Sequence, residues 1–146
     1  MIKTRMLLAL AAAVSLATSS GFAAEPTSAE RAYQDIEATL GIVPSHFKAY
    51  PPSAVAGAWE MTKGLLMGEG NTLEPKVKSL IAVAVAAQIP CQYCVWLETK
   101  SAKAAGASDA EVSEAVAQAA YVRHWSTVIH GSQIDFSTFK AEFGGE

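Results

Sequence analysis

Cys91 and Cys94 are the only cysteines in the 146-residue chain, and they share the segment Ile89-Pro90-Cys91-Gln92-Tyr93-Cys94-Val95-Trp96-Leu97-Glu98. Two cysteines at this spacing, directly after a proline and opening a predicted helix, face one side of its first turn. Unpaired N–H groups and the helix dipole at such an entrance favour a thiolate and depress its pKa. A thiolate with a second sulfur in reach is suited to redox chemistry, in which it is oxidised and then condenses with its neighbour to a disulfide. Glu98 follows Cys94 by four positions and Cys91 by seven, so its carboxyl group shares their helix face. It is a candidate proton carrier beside Cys94. The alternative is a solvent glutamate serving Lys100 or Lys103.

Two structural readings of the cysteines compete with the redox one. An inert local bridge is a weak explanation, because a ring this short constrains the unfolded chain little. A zinc half-site would need two further ligands, and His124 and His130 are the nearby candidates. Six positions apart on one helix, those histidines point about 240° apart and do not face one metal together. His124, beside Trp125, can instead approach the thiols from a neighbouring helix, the alternative being a partly buried, satisfied histidine. His130, just before Gly131, suits the negative end of its helix, and His46 carries no motif. No metal, haem or flavin is required for thiol chemistry of this kind.

The elements that must hold these groups are helical. Half the residues are hydrophobic (51%) and 17% are charged, which excludes a disordered chain and leaves enough apolar material for one domain with a core. Met1–Ala23 has the form of a secretory signal peptide: Lys3 and Arg5, then an apolar run to Ala17, then small and polar residues. The run is too short for a comfortable membrane span, and cleavage is expected after Ala23, with Ala24 as the rival site. An uncleaved anchor is the alternative. Losing Lys3 and Arg5 with the leader takes the formal charge from −3 to −5, a poor basis for binding nucleic acid. Export also places the cysteines where disulfides persist.

Residues 24–146 then read as a single all-α domain. Thr27 and Glu30 form a capping box for a helix bearing Ala32, Ile36 and Leu40, which Gly41 stops. Pro44 opens a short helix that Pro51 ends, and Ser53 caps the next one, bearing Val55, Trp59, Leu65 and Leu66. Gly68-Glu69-Gly70-Asn71 breaks it, and Leu73-Glu74-Pro75 restarts helix with proline at the first position. Val77–Ile89 is almost wholly apolar and is expected to be a central helix covered on all sides. Ser79 within it reads as a back-bonded core residue rather than a catalytic one. The cysteine helix runs to Ala105 before Gly106, and Ser108 with Glu111 launches a long helix to His130, closed by Gly131. A last short helix carries Phe136, Phe139 and Phe143. Tyr93, Trp96, Trp59 and Tyr121 are expected in the core or in subunit contacts.

As an ordered set, Gly41-Ile42-Val43-Pro44, Pro51-Pro52, Leu73-Glu74-Pro75-Lys76, the alanine-rich helix, Cys91-Gln92-Tyr93-Cys94 and Ala105-Gly106-Ala107-Ser108-Asp109-Ala110-Glu111-Val112 resemble the carboxymuconolactone decarboxylase-like family in its alkylhydroperoxidase D-like branch. The resemblance covers roughly Leu40 to Gly131. It implies an all-helical domain assembled as a homotrimer or homohexamer. It also implies hydroperoxide reduction, with Cys94 attacking the peroxide and Cys91 resolving the sulfenate into a disulfide. Two positions depart from the family pattern: Ser79 stands where a glutamate is common, and Glu98 where a histidine is common. Proton handling then falls to Glu98 or His124. Decarboxylation is not expected, because members with that activity generally lack the cysteine pair.

The expectation is therefore an exported, periplasmic or secreted, thiol-dependent hydroperoxide reductase without stable membrane insertion after processing. Its partners would be a hydroperoxide, a reducing protein thiol or small thiol, and copies of itself. A protein disulfide exchanger without peroxidase activity and a non-catalytic helical oligomer with a structural disulfide are the alternatives.

Overall fold

The computed structural model describes residues 25–145, and the leader expected at Met1–Ala23 lies outside them. Seven helices and no strand are found among the described residues, so the all-α expectation holds. None of these helices is long and apolar enough to cross a membrane. The chain divides into two compact units, 25–59 and 60–145.

The first unit holds α1 (Ser28–Leu40), α2 (Ser45–Lys48) and the start of α3 (Val55–Met67). The Thr27–Glu30 capping box is formed in both directions, and Gly41 ends α1 in the left-handed conformation (φ 78°) that favours glycine. Ala29, Ala32 and Ile36 of α1, Phe47 of α2, and Val55 and Trp59 of α3 form one apolar cluster. Trp59 is fully buried, meets Phe47 edge-on with ring centroids 5.6 Å apart, and donates its indole N–H to Asp35 Oδ2 at 2.7 Å. That bond satisfies the polar edge of an otherwise apolar group. Truncating such a tryptophan to alanine costs on the order of 3–5 kcal/mol.

The second unit contains the rest of α3, then α4 (Pro75–Gln88), α5 (Gln92–Ala104), α6 (Asp109–Gly131) and α7 (Phe136–Glu142). The end of α3 is held by side chains. Asn71 Nδ2 donates to the Gly64 and Leu65 carbonyls at 2.9 and 3.2 Å, and Lys78 Nζ donates to Leu65 O at 2.9 Å. These carbonyls lack helical partners, which is why the Gly68–Asn71 break is stable. α4 starts with Pro75 at its first turn, as its sequence requires, and packs against α5 and α6. Val83 of α4, Ala102 of α5 and the adjoining Ala107 form the buried centre, with Leu80 and Val112 beside it. The Ser108–Glu111 box starts α6, and Lys76 Nζ binds Glu111 Oε1 at 2.8 Å, so the Glu111 carboxyl is lowered to about 2.

The structure departs from the sequence expectations at α4 and at the end of α6. α4 is not covered on all sides: Val83 and Ala86 are buried, but Val77, Ile81, Val85 and Ile89 are exposed. Two helices cover only part of its circumference, and within the unit no third closes the rest. Of the four aromatics expected in the core or in subunit contacts, Trp59 is in the core, while Tyr93 and Trp96 are 77% and 65% exposed on the single chain and Tyr121 is also exposed. Gly131 does not close α6 but belongs to it, and the left-handed residue is Gln133 (φ 53°), after the Ser132 and Gln133 N–H groups have bonded Val128 and His130 carbonyls.

Candidate redox site

Three residues separate α4 from α5, and both backbone N–H groups there are hydrogen-bonded. The Ile89 N–H bonds Val85 O at 3.1 Å and the Cys91 N–H bonds Ala86 O at 3.3 Å. Cys91 is the N-cap of α5, with extended backbone, and its Sγ accepts the N–H of Cys94 at 3.2 Å. A sulfur thus occupies the place a serine or aspartate oxygen takes at most helix starts. Cys91 and Cys94 are joined as a disulfide with their α-carbons 5.3 Å apart, and both are half-buried. No acidic residue lies in the first turn of α5. On reduction, the thiols would therefore sit at the positive end of a helix without a carboxylate in that turn to oppose ionisation.

Glu98 lies one turn further along α5 and is half-buried. The lysines that might have explained it as a surface residue are engaged elsewhere. Lys103 pairs with Asp109, and the Lys100 ammonium lies 5.2 Å from the centre of the Trp96 ring. Glu98 makes no ion pair among the described residues, and burial pushes its carboxyl above the ordinary value of 4.5. A carboxyl group so placed holds a proton more readily than an exposed one.

His124 is exposed on α6, its ring 5.3 Å from that of Trp125, and it makes no hydrogen bond to either cysteine. The structure thus groups Cys91, Cys94 and Glu98 on one helix and does not join His124 to them. Ser79 is half-buried on α4, and its hydroxyl forms no hydrogen bond among the described residues, so back-bonding is not observed. His130 lies in the last turn of α6, near its carbonyl end.

One arrangement near the cysteines was not legible beforehand. Gln88, the last residue of α4, donates from Nε2 to the Ala119 carbonyl at 2.8 Å, and its Oε1 accepts from Arg123 Nε at 2.6 Å. The only sequence signal is a lone amide in an apolar run, three positions before Cys91. Beside this bridge a groove of about 440 Å³ lies between α4 and α6, walled by Val85, Ile89, Ala119 and Val122. On the outer side of α5 a second hollow of about 630 Å³ runs along Pro90, Val95, Trp96 and Lys100.

Comparison with known proteins places this geometry. Residues 53–134 match the model of the carboxymuconolactone decarboxylase family, a range that contains both cysteines and all of α3 to α6. The structure is similar to the crystal structure of the alkylhydroperoxidase AhpD core from Rhodospirillum rubrum, with a TM-score of 0.63 and 28% identity over 74% of this chain and 82% of that one. Among curated protein sequences no match was found. The chain belongs to the carboxymuconolactone decarboxylase family, in its alkylhydroperoxidase D-like branch.

Proposed function

We propose that this protein is an exported thiol-dependent hydroperoxide reductase. The observation that carries the reading is the Cys91–Cys94 disulfide at the entrance of α5, with the half-buried, unpaired Glu98 one turn beyond it. The similarity to the alkylhydroperoxidase core supports the same chemistry.

In the proposed cycle the Cys94 thiolate attacks the terminal oxygen of a hydroperoxide. The O–O bond breaks, the alkoxide leaves as an alcohol after gaining a proton, and Cys94 is oxidised to a sulfenic acid. The Cys91 thiolate then attacks the Cys94 sulfur, an S–S bond forms and water departs. A partner dithiol returns two electrons and two protons by exchange through a mixed disulfide. Glu98 takes the thiol proton and delivers it to the leaving oxygen. The exposed Tyr93 and Trp96 offer the reductant an apolar landing beside the pair. Consumption of an alkyl hydroperoxide by catalytic amounts of protein, with a small dithiol as electron source, tests this. A rate no higher than the dithiol's own would leave exchange or a structural bridge as the function. Export rests on the order of charged, apolar and small residues in Met1–Ala23.

Assembly is part of the reading. The open side of α4 (Val77, Ile81, Val85, Ile89) and the exposed Val122, Trp125 and Val128 of α6, a helix with no buried residue, leave more apolar surface than a monomer usually shows. Burial of these faces between copies would remove it from water. Light scattering at micromolar concentration is expected to give a trimer or hexamer. A monomer would contradict this.

A further inference from the structure

Resting on the proposed thiol chemistry, we infer that Gln88 is a positioning residue for the cysteine pair: its bridge to α6 holds Cys91 at the N-cap of α5. Gln88 touches neither sulfur's hydrogen bond directly, and its effect passes through the backbone. The last carbonyls of a helix lack partners and its last turn frays unless something fixes it. In α4 that last turn supplies the Ala86 carbonyl that binds the Cys91 N–H. Gln88, two residues beyond Ala86, ties the turn to α6 with two bonds, to Ala119 O and from Arg123 Nε. Ala119 and Arg123 are four apart on α6, hence adjacent on one face, and a single amide spans them by using its donor and its acceptor.

The consequence is redox rather than merely structural. Cys91 Sγ accepts the Cys94 N–H only while Cys91 stays in the capping position. In the reduced protein that bond and the other free N–H groups of α5 stabilise the thiolate, and a stabilised reduced form makes a pair more oxidising. Release of the α4 end therefore shifts the pair toward disulfide. Neutral replacements isolate this from charge effects: Gln88→Met keeps the length and removes both bonds, and Gln88→Asn keeps the amide but falls short of α6.

The measurement is equilibration of the full chain with a series of oxidised and reduced dithiothreitol mixtures, in which the protein disulfide and the small dithiol exchange two electrons and two protons. Gln88→Met is expected to move the equilibrium about tenfold toward protein disulfide, about 30 mV for a two-electron couple, with helix content unchanged. Gln88→Asn is expected to move it the same way, and it carries the test if Gln88→Met does not fold. An unchanged constant, or a shift toward dithiol, in a folded variant overturns the inference. The readout needs no peroxide, so a parent protein that fails to reduce hydroperoxide would remove the peroxidase reading and leave this one standing.

Discussion

Cys94→Ser is expected to abolish reaction with hydroperoxide, whereas Cys91→Ser reacts once and stops as a sulfenic acid that dimedone traps. The two variants separate attack from resolution, because only the attacking sulfur needs to touch the peroxide oxygen. Without Cys91 no disulfide closes, and turnover ends after one equivalent. Helix electrostatics alone does not choose the attacker. Cys91 is the residue whose sulfur accepts a helix N–H, which favours it as the more stable thiolate. The better stabilised thiolate is also the better leaving group when a reductant attacks Cys94, and that suits the resolving role. Cys94 has Glu98 one turn away on its own helix to take its proton. Mass spectrometry of the dimedone adducts decides the matter. Sulfenate on Cys91 in Cys94→Ser, with none in Cys91→Ser, would reverse the assignment.

Glu98→Gln is expected to slow hydroperoxide turnover near neutral pH by about 10²-fold, the low end for loss of a positioned acid–base group. The glutamine keeps the shape and loses the base. An ionised Glu98 raises the pKa of a nearby thiol, so the residue helps only if it shares a proton with Cys94 or is partly protonated itself. Its burial, without a cationic partner, pushes its carboxyl in that direction. The parent's rate should accordingly fall, as pH drops, in a limb lying above the usual carboxylate range, and Glu98→Gln should lack that limb. Stability has the opposite sign. A carboxyl whose folded pKa is raised binds more protons folded than unfolded, so stability falls as pH rises from the unfolded value of 4.5 through the folded one. Glu98→Gln should therefore be at least as stable as the parent at neutral pH while being slower. Glu98→His, which restores the family's common residue, should retain or increase activity. A Glu98→Gln protein as fast as the parent would leave proton handling to His124 or to solvent.

Much of the fold was legible because it is written in short-range chemistry. Thr27 with Glu30 and Ser108 with Glu111 satisfy helix N–H groups three residues away, and Gly41 takes a conformation that costs other residues a steric penalty. The start of α4 at Pro75 and the cysteine turn are legible for the same reason. What failed depends on distance. Continuous apolarity in Val77–Ile89 shows that α4 needs covering, but not whether the cover belongs to the same chain. The Gln88–Arg123 bond joins residues 35 apart, and no local pattern announces it. In the same way, Lys103 pairs with Asp109, beyond the end of α5, and not with Glu98.

On the proposed reading, hydroperoxide and not another disulfide makes the Cys91–Cys94 bond. Stopped-flow mixing of the fully reduced protein with hydrogen peroxide and, separately, with an alkyl hydroperoxide tests it most directly, with thiols and alcohol counted at the end. One equivalent of hydroperoxide is expected to be consumed per pair of thiols lost, through a transient sulfenate on Cys94 and at a rate well above that of a free small thiol. Thiols that outlast the peroxide, or that disappear no faster than those of an unfolded peptide containing the same Cys-Gln-Tyr-Cys segment, would contradict it.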